Sequence, residues 1–326
     1  MTTNHASRPF LWPLVPAYRL GLALREFQLR TGLKPVHRLR WPVISIGNLS
    51  TGGTGKTPLT IALAKALTGR GLHVDVLSRG YGRRSALALL VEAGGTAEDF
   101  GDEPLVIARE AQVPVFLAAE RYEAGLLAER SSPSSLGVHL LDDGFQHRQL
   151  ARDVDILLLS GRDLADHLLP AGNLREPLSA AERAHVIAIP ADEPGVEKEI
   201  KSRGWKAQIW RVRRQMEVPS VESPIAAFCG IARPSQFFQG LESAGLKLAA
   251  RFAFPDHHNY TAADLDRIES EARAAGAKSL LTTEKDRIRL GSLAATFPIN
   301  SVPLRIEIED EPAAMDGLIH SWKDPA

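Results

Sequence analysis

An eight-residue run, Ser50-Thr51-Gly52-Gly53-Thr54-Gly55-Lys56-Thr57, constrains the possible folds of this chain more than any other stretch. It follows the apolar run Pro42 to Ile46 and precedes apolar residues at helical spacing from Leu59 to Leu67. The pattern is strand, phosphate loop, helix. Glycines let backbone N–H groups turn inward around phosphate oxygens, Lys56 supplies a point charge for the β- and γ-phosphates, and the Thr57 hydroxyl is placed to hold Mg²⁺. The helix that begins there adds the positive end of its dipole. All eight residues, Ser50 through Thr57, are therefore expected to bind a nucleoside triphosphate. The pattern G-x-x-x-x-G-K-[ST] wants glycine at position 50, where this chain has serine, so the residue there is still small.

Beyond the loop, short β-rich runs alternate with helical patterns. Strands are expected at Val74 to Leu77, Ala88 to Val91, Val113 to Leu117, Val138 to Leu141, Ile156 to Leu159 and Val186 to Ile189, with helices at Glu103 to Ala111 and Arg121 to Ala128. Near-continuous apolar strands in such an alternation predict an α/β fold of P-loop NTPase type, a mostly parallel sheet with helices on both faces. Ligands should gather at the carboxyl ends of its strands. The text becomes charged and irregular from Glu197 to Val218, which reads as a connector. A second α/β pattern follows: strand Ile225 to Phe228, helix Pro234 to Ala244, a strand near Leu248 to Phe252, helix Ala262 to Ala275 and strand Ser279 to Thr283. The expected division is an N-terminal amphipathic segment (1–40), a phosphate-loop core (41–200), a connector (201–222) and a smaller C-terminal α/β domain (223–326).

At 326 residues and 44% hydrophobic content the chain can bury a sizeable core. Lysine and arginine number 39 against 39 acids, so no whole-molecule field favours a nucleic-acid partner. The imbalance is local: before position 41 stand Arg8, Arg19, Arg25, Arg30, Lys34, Arg38 and Arg40 against a single acid, Glu26. The one cysteine, Cys229, rules out an internal disulfide and a zinc cluster and suits a reducing compartment. No stretch has the ~20 uninterrupted apolar residues of a membrane-spanning helix. The nearest, Phe10 to Phe27, is broken by Pro13 and Pro16 and carries Arg19, Arg25 and Glu26, leaving no signal-peptide core. Leu14, Tyr18, Leu22 and Phe27 are expected to share one helical face. That face either lies in a membrane interface, with arginines toward lipid headgroups, or packs on the chain's own domain.

Several clusters fall where a phosphate-loop protein places its chemistry. Asp142 and Asp143 close the strand Val138 to Leu141, and either is suited to steady Mg²⁺ directly or through water. Gly101-Asp102-Glu103-Pro104 precedes a helix. Asp102 is expected to accept from first-turn N–H groups, and capping leaves room for one carboxylate to take a proton from an acceptor hydroxyl while the other positions the metal. Arg79, Tyr81, Arg83 and Arg84 follow a strand and, with Arg121, Arg148 and Arg175, suit an anion-lined cleft. His257 and His258 sit in Phe254 to Tyr260, where a structural and a catalytic role are both open. Thr282-Thr283-Glu284-Lys285-Asp286 hints at a base-reading loop, but Lys285 adjoins Asp286 where guanine readers separate the two by one residue, which favours ATP.

Taken in order, Gly47 to Pro58, Ser78 to Arg83, Gly101 to Pro104, Asp142 to His147, Leu169 to Pro177 and Asp256 to Tyr260 resemble the tetraacyldisaccharide 4'-kinase family of lipid A biosynthesis. The resemblance runs from about Phe10 to Asp286. It implies phosphoryl transfer from ATP, with Mg²⁺, to the 4'-hydroxyl of a tetraacylated glucosamine disaccharide 1-phosphate at the cytoplasmic face of the bacterial inner membrane. It carries Asp102 over as general base, with His257 as its partner across an interdomain cleft and Lys56 on the phosphates. Thr57, Glu103, Asp142 and Asp143 are the expected metal group, and Arg79, Tyr81, Arg83, Arg121, Asn173 and Arg175 the expected substrate group. The membrane is then a partner of the N-terminal helix. A second reading of the phosphate loop is an ATPase or GTPase switch acting by conformational change on protein partners, whose mark is an early lysine as in K-G-G-x-G-K-T. Position 51 is threonine.

Overall fold

The computed structural model describes residues 8–85, 87–132, 137–295 and 298–323. Its strands are β1 Val43–Asn48, β2 Val74–Ser78, β3 Leu89–Leu90, β4 Val115–Leu117, β5 Val138–Asp142, β6 Val154–Leu158, β7 Val186–Pro190, β8 Gln208–Met216, β9 Ile225–Cys229, β10 Leu248–Ala253, β11 Ser279–Thr283, β12 Ile299–Val302 and β13 Leu304–Ile308. They form a nine-stranded sheet, β13-β8-β7-β6-β1-β5-β2-β4-β3, and a four-stranded sheet, β10-β9-β11-β12. The large sheet is parallel except at its two outer pairs, β3 with β4 and β8 with β13. The small one is parallel throughout.

Burial explains the parallel pairing. Every residue of β1, β2, β4, β5 and β6 is buried, as expected of strands covered on both faces. On one face Ile44, Ile46, Val76 and Leu140 pack against the phosphate-loop helix Lys56–Thr68, the acidic helix Asp102–Ala111 and the C-terminal helix Glu311–Lys323. On the other, Leu157 and Ile187 pack with Leu168, Leu174 and Trp205, and Leu77 and Leu141 pack with Ala124 and Ala128 of helix Arg121–Ser131. Each fully buried leucine or isoleucine is worth about 1.5–3 kcal/mol of transfer free energy, so the frame under the site is stiff.

The connector and the end of the C-terminal region differ from the sequence reading. Part of the stretch expected as connector is helix Pro194–Ser202 and strand β8. Along β8, buried Trp210 and Val212 alternate with exposed Arg211 and Arg213, and the charged half of that alternation masked the strand. The chain also returns to the large sheet after β12, because β13 pairs antiparallel with β8 through Ile308↔Val212 and Leu304↔Met216.

The N-terminal segment differs as well. A 3₁₀ turn Pro9–Leu14 leads into helix Val15–Arg30, and the four apolar residues expected on one face divide. Tyr18 and Leu22 pack inward with Val15, whereas Leu14 and Phe27 are exposed. Phe10, Trp12, Leu20, Leu24, Leu33 and Val36 are exposed too, so the segment carries a second apolar face turned to solvent. At 100° per residue Leu20, Leu24 and Phe27 fall together opposite Val15, Tyr18 and Leu22. Among the described residues no helix is long and apolar enough to cross a membrane.

Candidate active site

β1 lies between β5 and β6, with Ile46 beside Asp142 and Asn48 beside Leu158. This register places the loop after β1 next to the acidic pair that ends β5. Gly52 (φ 94°) and Gly55 (φ 97°) adopt left-handed backbone, which glycine takes without a Cβ penalty. Ser50 is buried, and the Asn48 side chain donates to its carbonyl (2.8 Å). Loop and acids line one cleft of about 1070 Å³.

On the loop side of this cleft, Lys56 Nζ stands 3.6 Å from Asp143 Oδ1, and Arg175 grips the same carboxylate through both terminal nitrogens (3.0 and 3.2 Å). Burial alone would raise the Asp143 pKa; Lys56 and then Arg175 hold it down at about 2. Asp142 accepts from the Thr60 hydroxyl (3.2 Å), and burial, then Glu103 and Asp143, push its carboxyl up to about 7. Asp143 itself has φ 49°, a left-handed conformation costly for a residue with a Cβ.

The facing side is assembled from distant parts of the chain. Asp102 is the first residue of its helix and accepts from the Glu103 N–H (2.9 Å), so the first-turn hydrogen bond is made from within the helix rather than from a cap. Its other oxygen accepts from Arg289 and lies 3.5 Å from His257 Nδ1. Burial opposes ionisation of Asp102, yet His257, Arg289 and Lys285 hold its carboxyl well below the usual range. The hydrogen bond to Asp102 raises the His257 pKa in turn. Lys285 donates to Glu103 across the cleft. Lys285 and Arg289 both come from helix Glu284–Arg289 of the second sheet, and sequence reasoning missed this pairing. Of the segment hinting at a base-reading loop, Thr283, Glu284 and Lys285 line the cleft and Asp286 does not. Asp286 is fully buried and accepts from Gly230 N (3.0 Å), Tyr260 OH (3.0 Å) and the Thr283 hydroxyl (2.6 Å). No signal within the motif distinguishes Arg289 from a solvated arginine.

Arg25, Arg79, Tyr81, Arg121, His147 and Arg175 also line the cleft. Burial, then Arg79, lowers the Arg121 pKa to about 10, and burial with Arg121 holds His147 neutral at about 4. This wall therefore carries concentrated positive charge. The Asn173 side chain is taken up by Asp166 (2.9 Å), while its carbonyl accepts from the Thr51 N–H (2.9 Å). Arg83 folds over Gly80 outside the cleft lining, and Arg148 pairs with Glu26. The inner face of the N-terminal helix reaches the same loops: Tyr18 donates to the Arg175 carbonyl (2.8 Å) and Arg25 to the Gln146 carbonyl.

With this geometry established, relatives of known name become informative. The family model described as Tetraacyldisaccharide-1-P 4'-kinase matches residues 7–322. A tetraacyldisaccharide 4'-kinase from Koribacter versatilis (strain Ellin345) is 44% identical over 94% of this chain and 97% of its own length. One from Dechloromonas aromatica (strain RCB) is 37% identical over 97% and 94%. Among solved structures, LpxK from Aquifex aeolicus, crystallised in complex with ATP, superposes with a TM-score of 0.77 at 32% identity, over 97% of this chain and 99% of that one.

Proposed function

The chain belongs to the tetraacyldisaccharide-1-P 4'-kinase family, and from that premise we propose how its own residues divide the reaction. The enzyme is an ATP-dependent 4'-kinase of lipid A biosynthesis. The acceptor is a tetraacylated glucosamine disaccharide 1-phosphate. Its 4'-oxygen attacks the γ-phosphorus, the bond from that phosphorus to the β,γ-bridging oxygen breaks, ADP leaves, and the hydroxyl proton passes to Asp102. One observation carries this assignment: Lys56 with Asp142 and Asp143, and Asp102 with His257, face one another across a single cleft.

Lys56 and the loop backbone hold the β- and γ-phosphates, and Ser50 to Thr57 wrap them. Asp102 receives the proton, with His257 orienting it. Arg79, Tyr81 and Arg121 stand nearest the acceptor, with Arg175 keeping Asp143 in place; Arg83 and Asn173 support the loops around them. Thr57, Glu103, Asp142 and Asp143 supply hard oxygens that suit Mg²⁺, and a dication beside Asp142 would favour the charged carboxylate that burial, then Glu103 and Asp143, disfavour. Among the described residues no three His, Cys, Asp or Glu side chains stand together as a metal site, so Mg²⁺ would draw the rest of its shell from phosphates and water. Bound there, it would neutralise charge on the transferring phosphoryl group. The large sheet serves as the kinase core and the four-stranded sheet as the lobe that brings His257 to Asp102.

The outer face Phe10, Leu20, Leu24 and Phe27 docks on the cytoplasmic leaflet of the inner membrane, where acyl chains and headgroups of the substrate lie, while the inner face stays on the domain. Transfer of labelled γ-phosphate from ATP to the lipid disaccharide, with purified protein and detergent, tests the assignment; ATP turnover that ignores the lipid would overturn it. Leu20→Ser, Leu24→Ser and Phe27→Ser combined should weaken flotation with anionic vesicles by about tenfold or more and raise KM for lipid but not for ATP. Unchanged flotation would leave this face without a membrane role.

A further inference from the structure

Arg289 occupies a place that the division of labour above does not explain. Its guanidinium is 4% exposed and two-sided. One terminal nitrogen donates to the Gly230 carbonyl (2.5 Å) and to Asp286 Oδ1 (3.1 Å), both in the second lobe. The other crosses to Asp102 and comes within 3.1 Å of His257 Nδ1. The anchored half cannot wander, because Asp286 is itself fixed by Gly230, Tyr260 and Thr283. The Gly230 carbonyl also accepts from the His257 N–H (3.1 Å), so one carbonyl at the end of β9 pins both Arg289 and the histidine backbone, which holds φ 60°. A Cβ on Gly230 would stand 3.0 Å from the Pro255 carbonyl and 3.1 Å from His258 Cβ, leaving little room at this junction.

We propose that Arg289 is the positioning residue of the Asp102–His257 pair: its planar fork fixes the carboxylate and the imidazole relative to each other and makes their aim depend on docking of the second lobe. This rests on Asp102 being the base proposed above. A guanidinium suits the task where an ammonium does not, because its donors diverge in a fixed plane and serve both lobes at once. Lys285, one turn earlier on the same helix, reinforces the docking by holding Glu103.

The test is steady-state kinetics on Arg289→Gln, Arg289→Lys, Asp102→Asn and the double variant Arg289→Gln with Asp102→Asn. Arg289→Gln should lower kcat by about 10²-fold, the cost of a slightly misplaced reacting group. ATP KM should stay within about twofold, because no nucleotide contact is lost. Arg289→Lys should recover only part of kcat. Adding Arg289→Gln to Asp102→Asn should cost little more, since both act through one carboxylate. Unchanged kcat in Arg289→Gln, or fully additive losses in the double variant, would overturn the inference. If Arg289→Gln does not fold, Arg289→Lys decides: lowered kcat at unchanged ATP KM supports it, and unchanged kcat refutes it. Full kcat in Asp102→Asn would sink the base assignment itself, an outcome visible without any Arg289 variant.

Discussion

The two sides of the cleft are built by different means. The phosphate loop is eight consecutive residues between β1 and its helix, and its chemistry comes from backbone N–H groups, two left-handed glycines and one lysine. The facing wall joins residues 182 and 187 positions apart, Glu103 with Lys285 and Asp102 with Arg289, through side chains of two helices, Asp102–Ala111 and Glu284–Arg289. The first wall is local and exists once its strand and helix form. The second exists only where the two lobes meet.

The sharpest way to break that contrast is at the loop. Lys56→Ala should reduce kcat by about 10²–10³-fold with the fold intact, since the transferring phosphoryl group loses its point-charge partner. Single-turnover transfer and a thermal melt measure both, and near-normal turnover would remove the loop from the chemistry. Lys285→Met probes the other wall and should cost less, about tenfold in kcat, corresponding to about 1.4 kcal/mol of transition-state stabilisation. A loss as large as that of Lys56→Ala would mean that the distant wall touches the phosphates directly.

The smallest effect concerns stability, at Asp142. Its pKa rises from 3.8 to about 7 on folding, through burial first and then Glu103 and Asp143. A carboxyl raised on folding contributes stability below its unfolded pKa and loses it as pH climbs through the folded value, here between about pH 4 and pH 7. Asp142→Asn, neutral at every pH, should therefore raise the Tm of nucleotide-free protein by a few degrees at pH 8 and by less at pH 5, while kcat falls. Equal shifts at both pH values would show that Asp142 is not held out of water as its burial indicates.

The contrast also governs what was legible in advance. The parallel core was, because uninterrupted apolar runs such as Val138 to Leu141 admit few other arrangements. Strand β8 was not, since it has one face open to solvent and Arg211, Arg213 and Arg214 outweigh Trp210 and Val212 to the eye. The N-terminal helix was legible as amphipathic but not as apolar on two sides. Only packing separates Tyr18 and Leu22, which touch the core, from Leu20 and Leu24, which do not.

By itself the sequence determined the phosphate loop, the acidic pair beside it and the α/β frame, because each depends on groups a few residues apart whose geometry the backbone fixes. Tertiary structure alone decided that Arg289 and Lys285 meet Asp102 and Glu103, that Arg175 serves Asp143, and that Asn173 offers a carbonyl rather than its amide. These contacts depend on how two sheets pack. The pull between charges on separate elements falls with a distance that no local pattern encodes.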